Sequence, residues 1–130
     1  MIPNKYRVYL GERIWLAKGV DGCLNIFTQS AWEEYARKYI MNRSLTDEKA
    51  RQLIRFALGG SRELEIDRMG RINLPQDHIE FAGIEKEVVF VGFGDYIELW
   101  GKDAFGKKAD PANLDLSGLM HDAEVAAGEG

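Results

Sequence analysis

Three charged residues around one glycine are the most specific chemistry in this chain: Asp67, Arg68 and Arg71, in Asp67-Arg68-Met69-Gly70-Arg71. An arginine carries five N–H donors in a planar fork, which suits a carboxylate, a phosphate or the edge of a guanine. An aspartate nearby can hold one guanidinium in place and so fix where it points. Both flanks alternate polar and apolar residues, Glu65-Ile66-Asp67 before the turn and Arg71-Ile72-Asn73-Leu74 after it. That period predicts two short half-buried strands joined by a three-residue loop, with Gly70 where φ must be positive. Pro75 then stops strand pairing and suits the first turn of a helix. Physics alone leaves two readings open, a binding tip and an exposed hairpin with solvated charges.

Other chemistries lack their parts. One cysteine and two distant histidines supply neither a disulfide nor a cluster of metal ligands. Cys23 follows a turn with no base beside it in sequence and reads as a small, inert, buried thiol. His78 reads as a surface or satisfied side chain. Gly92-x-Gly94 lacks the third glycine and the following helix of a phosphate loop. No nucleophile with its base and no paired carboxylates are assembled, so an enzyme, a cofactor and a small-molecule substrate are not expected.

The net charge of −4 is unusual for a protein that meets a polyanion. Its distribution is uneven, however. From Arg43 to Arg71 there are seven basic and five acidic residues, a balance of +2, whereas residues 106–130 carry two lysines against five acids, a balance of −3. A local basic face on an acidic protein is therefore allowed. No apolar run approaches a membrane span, and the start has no signal-peptide core, so the expected location is the cytoplasm.

The elements that must position the turn follow from local signals. Pro3 and Gly11 bracket a short helix, and Arg13 to Lys18 reads as a buried strand. Gly19-Val20-Asp21-Gly22 is a turn, and Cys23 to Phe27 the returning strand. Ser30-x-x-Glu33 reads as a capping box for a helix with the apolar stripe Trp32, Tyr35, Ala36, Tyr39 and Ile40. Thr46 reads as the cap of a second helix, with Ala50, Leu53, Ile54, Ala57 and Leu58 inward and Gly59-Gly60 at its end. Together these two form a helical hairpin. A helix from Pro75 to about Ala82, a strand over Val88 to Val91, a turn over Gly92 to Asp95 and a strand over Tyr96 to Trp100 complete the order. From Gly106 the chain loses its periodicity and reads as a disordered acidic tail, with one weak helix conceivable over Leu114 to Val125.

This order contains a repeat. Pro3 and Gly11 align with Pro75 and Gly83 at an offset of 72, and Leu24 to Phe27 align with Ile97 to Trp100 at 73. One inserted residue after the glycine reconciles the two. Two such copies can share a β core that neither would bury alone.

Asp67 to Arg71 also resembles the D-x-x-x-R signature of the MraZ family, seen there as a D-x-x-G-R turn running into I-P or L-P. Three further stretches resemble that family in its order: Asp21-Gly22-Cys23-Leu24, Arg55 to Gly60, and Phe81 to Val88. The resemblance covers roughly residues 2 to 105. It implies a bacterial transcriptional regulator of the division and cell-wall gene cluster, built on the swapped-hairpin barrel shared with AbrB.

The expected fold class is therefore α+β, a two-repeat AbrB-like swapped-hairpin β barrel with an inserted helical hairpin. The expected units are residues 1–32, the first and N-terminally short repeat; 33–59, the helical hairpin; 60–105, the second repeat; and 106–130, the tail. The resemblance implies double-stranded DNA as partner, recognised at repeated promoter elements, and a ring-like homo-oligomer in the nucleoid. Arg71 would be the foremost DNA contact and Arg68 the second, with Asp67 organising the turn. Family members carry this hairpin in both halves, and here the first would lie before Met1. Either the start codon is misplaced or this is a shortened variant. The alternative function is an oligomeric structural or protein-interaction module that has lost DNA binding.

Overall fold

Proline before and glycine after define the first helix, α1 (Asn4–Leu10), which begins beyond Pro3 and ends at Gly11. The structure, a computed structural model, describes residues 1–121. Two antiparallel strands follow, β1 (Arg13–Lys18) and β2 (Leu24–Phe27), then helix α2 (Gln29–Tyr35), which runs into a π-helical turn over Ala36–Ile40. Helix α3 (Glu48–Gly59) completes the helical hairpin, and β3 (Arg62–Glu65) leads into the Asp67–Arg71 turn. The second copy continues with α4 (Gln76–Ala82), β4 (Val88–Phe93), β5 (Tyr96–Gly101) and α5 (Lys102–Lys108). Residues 111–113 make a 3-10 turn and 116–121 are helical. The rest of the expected tail, residues 122–130, lies outside the described residues.

The five strands of the described residues form one antiparallel sheet in the order β3-β1-β2-β5-β4. The two repeats meet in the middle, where Ile26 pairs with Ile97 and Leu24 with Leu99. β3, made after the helical hairpin, returns to pair with β1 of the first repeat, Arg13 opposite Glu65 and Ile14 opposite Leu64. This exchange between repeats is the α+β arrangement that was expected. Leu64 from one edge and Phe90 from the other pack on the same cluster of Ile14, Leu16, Leu24, Ile26, Ile97 and Leu99, so the sheet curls around its core. Burying each of these side chains fully contributes about 1.5–3 kcal/mol.

A second cluster lies on the outer face of β1 and β2. Ala17 and Phe27 meet Trp32 and Ile40 there, with Trp15, Tyr35, Ile54 and Tyr96 packed around them. The helical hairpin thus covers the back of the first repeat, and all four residues of β2 are buried.

Local details differ from expectation for identifiable reasons. The cap of α2 is Thr28 rather than Ser30: its hydroxyl accepts from the Ala31 N–H at 3.1 Å, and Glu33 is taken by the Gln29 side-chain amide at 2.7 Å. The cap of α3 is Asp47 rather than Thr46, because the Thr46 hydroxyl is engaged with Ser44 while Asp47 accepts from the Lys49 N–H. The expected stripe assumed 3.6 residues per turn throughout. The π turn is wider, so Ile40 turns inward at 4% exposed and Tyr39 outward at 52%. β4 runs on to Phe93, and the connection to β5 is the two-residue turn Gly94-Asp95, with φ of +65° at Gly94.

The repeat also needs more than one inserted residue. α1 and α4 are offset by 72, but Trp15 pairs with Phe27 where Val89 pairs with Trp100, offsets of 74 and 73. Two residues are gained after the helix and one is lost in the turn. α2 and α5 keep the offset of 73.

Candidate nucleic-acid interface

The Asp67–Arg71 segment is a type I-like turn closed by a glycine with positive φ. Gly70 donates its N–H to the Asp67 carbonyl at 3.0 Å, Asp67 donates to the Arg71 carbonyl at 2.9 Å, and Gly70 has φ of +80°. The Asp67 side chain organises the rest. Its Oδ1 accepts from the N–H groups of Met69 and Arg71, both at 2.9 Å, and its Oδ2 accepts from Arg71 Nε at 3.1 Å. The bond from the Arg71 backbone N–H is the first cause that holds the Asp67 carboxyl below its ordinary value, and the guanidinium adds to it. The aspartate is an acceptor to three donors within its own turn, so it fixes the geometry locally.

The same bonds aim Arg71. Its Nε is tied to Asp67, whereas the two terminal nitrogens keep no protein partner among the described residues, and the side chain is 63% exposed. Those two nitrogens form a fork held from behind, the geometry that grips two acceptors side by side. Arg68 is exposed on the other shoulder of the turn. The three charged residues singled out in the sequence are thus together at one tip.

The expected two-stranded ribbon is not what carries this tip. Residues 71–75 join no strand ladder, and β3 pairs with β1 rather than with its own return arm. The return arm is held by packing instead, since Ile72 and Leu74 lie against the main core. Apolar alternation finds a buried face in either arrangement, so it cannot choose the hydrogen-bonding partner.

Sequence reasoning missed a residue here. Arg7 of α1, half-buried, donates from Nη2 to the Arg68 carbonyl at 3.1 Å, across 61 residues of sequence. Ile2 donates its N–H to the Gly70 carbonyl at 2.7 Å. A Cβ on Gly70 would lie 2.7 Å from the Arg7 guanidinium, a flexible end that can shift, so it is the φ of +80° that demands glycine here. The signal available was the repeat itself: Arg7 stands where the second copy has Ile79, a charge in place of an apolar residue. An open cleft of about 600 Å³ separates α1 from the turn, lined by Asn4, Arg7, Arg13, Glu65 and Arg68 among others. Arg13 on its wall is neutralised by Glu63 and Glu65, at 2.7 and 2.8 Å.

Among the described residues the buried polar side chains have partners. His78 is fully buried, with Nε2 donating to the Gly60 carbonyl at 2.7 Å and Nδ1 3.2 Å from Asp77. Burial pushes the Cys23 thiol up to about 12, helped by Glu98 at 3.7 Å. Among the described residues no group of acidic, histidine and cysteine side chains is placed to hold a metal, and no helix is long and apolar enough to cross a membrane.

Comparison with known proteins places the chain. The family model described as "MraZ protein, putative antitoxin-like" matches twice, over residues 1–56 and 57–120, one match for each repeat. A protein of Dictyoglomus thermophilum named "Transcriptional regulator MraZ" is 42% identical over 103 residues, 79% of this chain and 70% of the relative. Proteins of the same name from Clostridium acetobutylicum (38% identical, 79% of this chain and 72% of the relative) and Alkaliphilus metalliredigens (34%, 95% and 85%) are similar as well. All three relatives are named as transcriptional regulators. With both repeats matched and relatives aligned over most of its length, the chain belongs to the MraZ family.

Proposed function

We propose that this chain is a sequence-specific DNA-binding transcriptional regulator that presents the Asp67–Arg71 turn to the major groove. The observation that carries this reading is the held fork: Asp67 locks Arg71 Nε and leaves both terminal nitrogens outward at an exposed tip. A fork of that kind pairs bidentately with guanine O6 and N7. Arg68 is the phosphate contact on the adjoining shoulder. The names of the relatives support a role in transcription. The targets are repeated promoter elements upstream of the division and cell-wall gene cluster, and the protein acts there as a ring-like homo-oligomer at the nucleoid. A ring sets several identical tips along one duplex, so weak single contacts add up.

A second reading, an oligomeric structural module without DNA binding, is favoured by one feature. The outer edge of β4 pairs with no strand among the described residues, and Phe93 at its end is 53% exposed. Such an edge tends to be covered by another chain.

The two readings separate in one binding experiment on DNA upstream of the protein's own gene, at two salt concentrations. Arg71→Ala is expected to lose discrimination by about 1–3 kcal/mol per site and to keep the fold. Arg68→Ala is expected to weaken all sequences alike and to flatten the salt dependence. Equal, salt-insensitive binding by wild type and Arg71→Ala would defeat the DNA reading and favour the structural one.

A further inference from the structure

Resting on the reading of the turn as the DNA-contacting element, we infer that Arg7 is a positioning residue for it, a clamp from the first repeat that fixes the pose of the second repeat's tip. Four contacts support this. Arg7 Nη2 donates to the Arg68 carbonyl at 3.1 Å, and Nη1 reaches Asn4 Oδ1 at 3.3 Å, which ties the guanidinium back to its own helix. The guanidinium lies over Gly70 so closely that a Cβ there would stand 2.7 Å from it. The Ile2 N–H holds the Gly70 carbonyl at 2.7 Å, a second attachment of the same turn to the same end of α1.

The turn needs such an attachment. Its own bonds, from Gly70 to Asp67 and around the Asp67 carboxylate, set its internal shape but not its direction relative to the sheet. The returning arm joins no ladder and is held by the packing of Ile72 and Leu74, so no strand bond on that side fixes the angle of the tip. Arg7 spends its donors on a backbone carbonyl and on Asn4, and both are groups of the protein. That distinguishes it from Arg68 and Arg71, whose terminal nitrogens have no protein partner among the described residues. Its part is to hold the turn, and with it Arg68 and Arg71, at a constant angle to α1. A fork misplaced by an ångström loses its bidentate grip while its charge stays near the duplex.

This gives Arg7 a signature different from that of a phosphate contact. The test uses the full chain and its Arg7→Ala, Arg7→Lys and Arg71→Ala variants, with the duplex from upstream of the gene and a scrambled duplex of equal length, across several salt concentrations. For Arg7→Ala the expectation is about a tenfold loss on the upstream duplex, the size of one charge-assisted hydrogen bond, with scrambled binding and the salt slope unchanged. Arg7→Lys, which keeps the charge but not the fork, is expected to recover less than half of that loss in logarithmic terms. A parallel loss on both duplexes with the slope reduced by about 0.9 would show a phosphate contact and overturn the inference. So would unchanged binding to both.

Amide exchange of Met69 and Arg71, measured without DNA, reads the clamp independently. Faster exchange in Arg7→Ala at unchanged global stability is expected, and unchanged exchange overturns the clamp. If Arg71→Ala binds the upstream duplex as well as wild type does, the reading of the tip fails, while the exchange measurement still decides whether Arg7 holds the turn.

Discussion

The first repeat has both of its strands covered on two faces, whereas in the second β5 is buried from Ile97 to Gly101 and β4 is left open. β1 and β2 have the core on one side and the helical hairpin on the other, and β1 has β3 along its edge. Among the described residues β4 has a neighbouring strand on one edge only, and none of its residues reaches full burial. The difference does not lie in hydrophobicity, since Val88-Val89-Phe90-Val91 is the more apolar strand. It lies in what surrounds each copy. One β unit therefore serves two ends: the enclosed copy supplies rigidity, and α1, at its start, is the platform on which the tip rests.

The comparison breaks most visibly in paired truncations. Phe27, fully buried among Trp32, Tyr35 and Tyr96, is expected to cost about 3–5 kcal/mol when changed to alanine. Phe93 near the open end of β4 is 53% exposed, and its change to alanine is expected to cost under about 1 kcal/mol. Urea unfolding of both variants measures the contrast, and equal losses would mean that β4 is covered in solution.

The glycines that end α1 and α4 sharpen it further. Gly83 has φ of +63° and ψ of +33°, the left-handed region that alanine enters for about 1–2 kcal/mol. Gly11 has φ of +76° and ψ of −140°, a conformation close to one that is essentially restricted to glycine. Neither would clash, since a Cβ at either position meets nothing within 4 Å. Gly11→Ala is therefore expected to destabilise more than Gly83→Ala, by backbone strain alone, and thermal unfolding of the two variants checks the order.

The smallest expected effect is a pH dependence carried by a carboxylate that one copy has and the other lacks. Asp77, half-exposed on α4, is held down to about 2, first by its bond with His78 and then by Lys18 at 3.2 Å. A carboxyl with a lowered folded-state value stabilises above its ordinary value of 3.8 and loses that contribution as pH falls towards 2. The wild type should therefore lose more stability than Asp77→Asn between about pH 4 and pH 2. The equivalent residue of the first copy is Lys5, so Lys5→Ala should leave this acid limb unchanged.

Much of this was legible in the sequence because it is local. The Asp67–Gly70 turn, the bounds of β1 and the proline-to-glycine span of α1 and α4 are each set by residues within a few positions. What could not be read there is set by partners far along the chain. β3 alternates as a hairpin strand would, yet its partner is β1, some fifty residues earlier. Arg7 looks like any solvated helix residue until the turn arrives over it. The shift of both helix caps by one or two places was a contest between adjacent hydroxyls and carboxylates, which small differences in approach decide.

The pairing of β3 with β1 also has a consequence for synthesis on the ribosome. β1 emerges first, but its outer edge cannot be closed until Glu65 is made, 47 residues after Lys18. At about 5–20 residues per second, that interval is roughly 2–9 s. For that time the strand Arg-Ile-Trp-Leu-Ala-Lys is an uncovered template for any nascent neighbour on the same messenger. The segment translated in the interval is the helical hairpin, whose contacts are local and form early. It can shield Trp15 and Ala17 before the edge is sealed. The helices inserted between the copies are thus made in time to cover this face of β1, while its edge waits for β3.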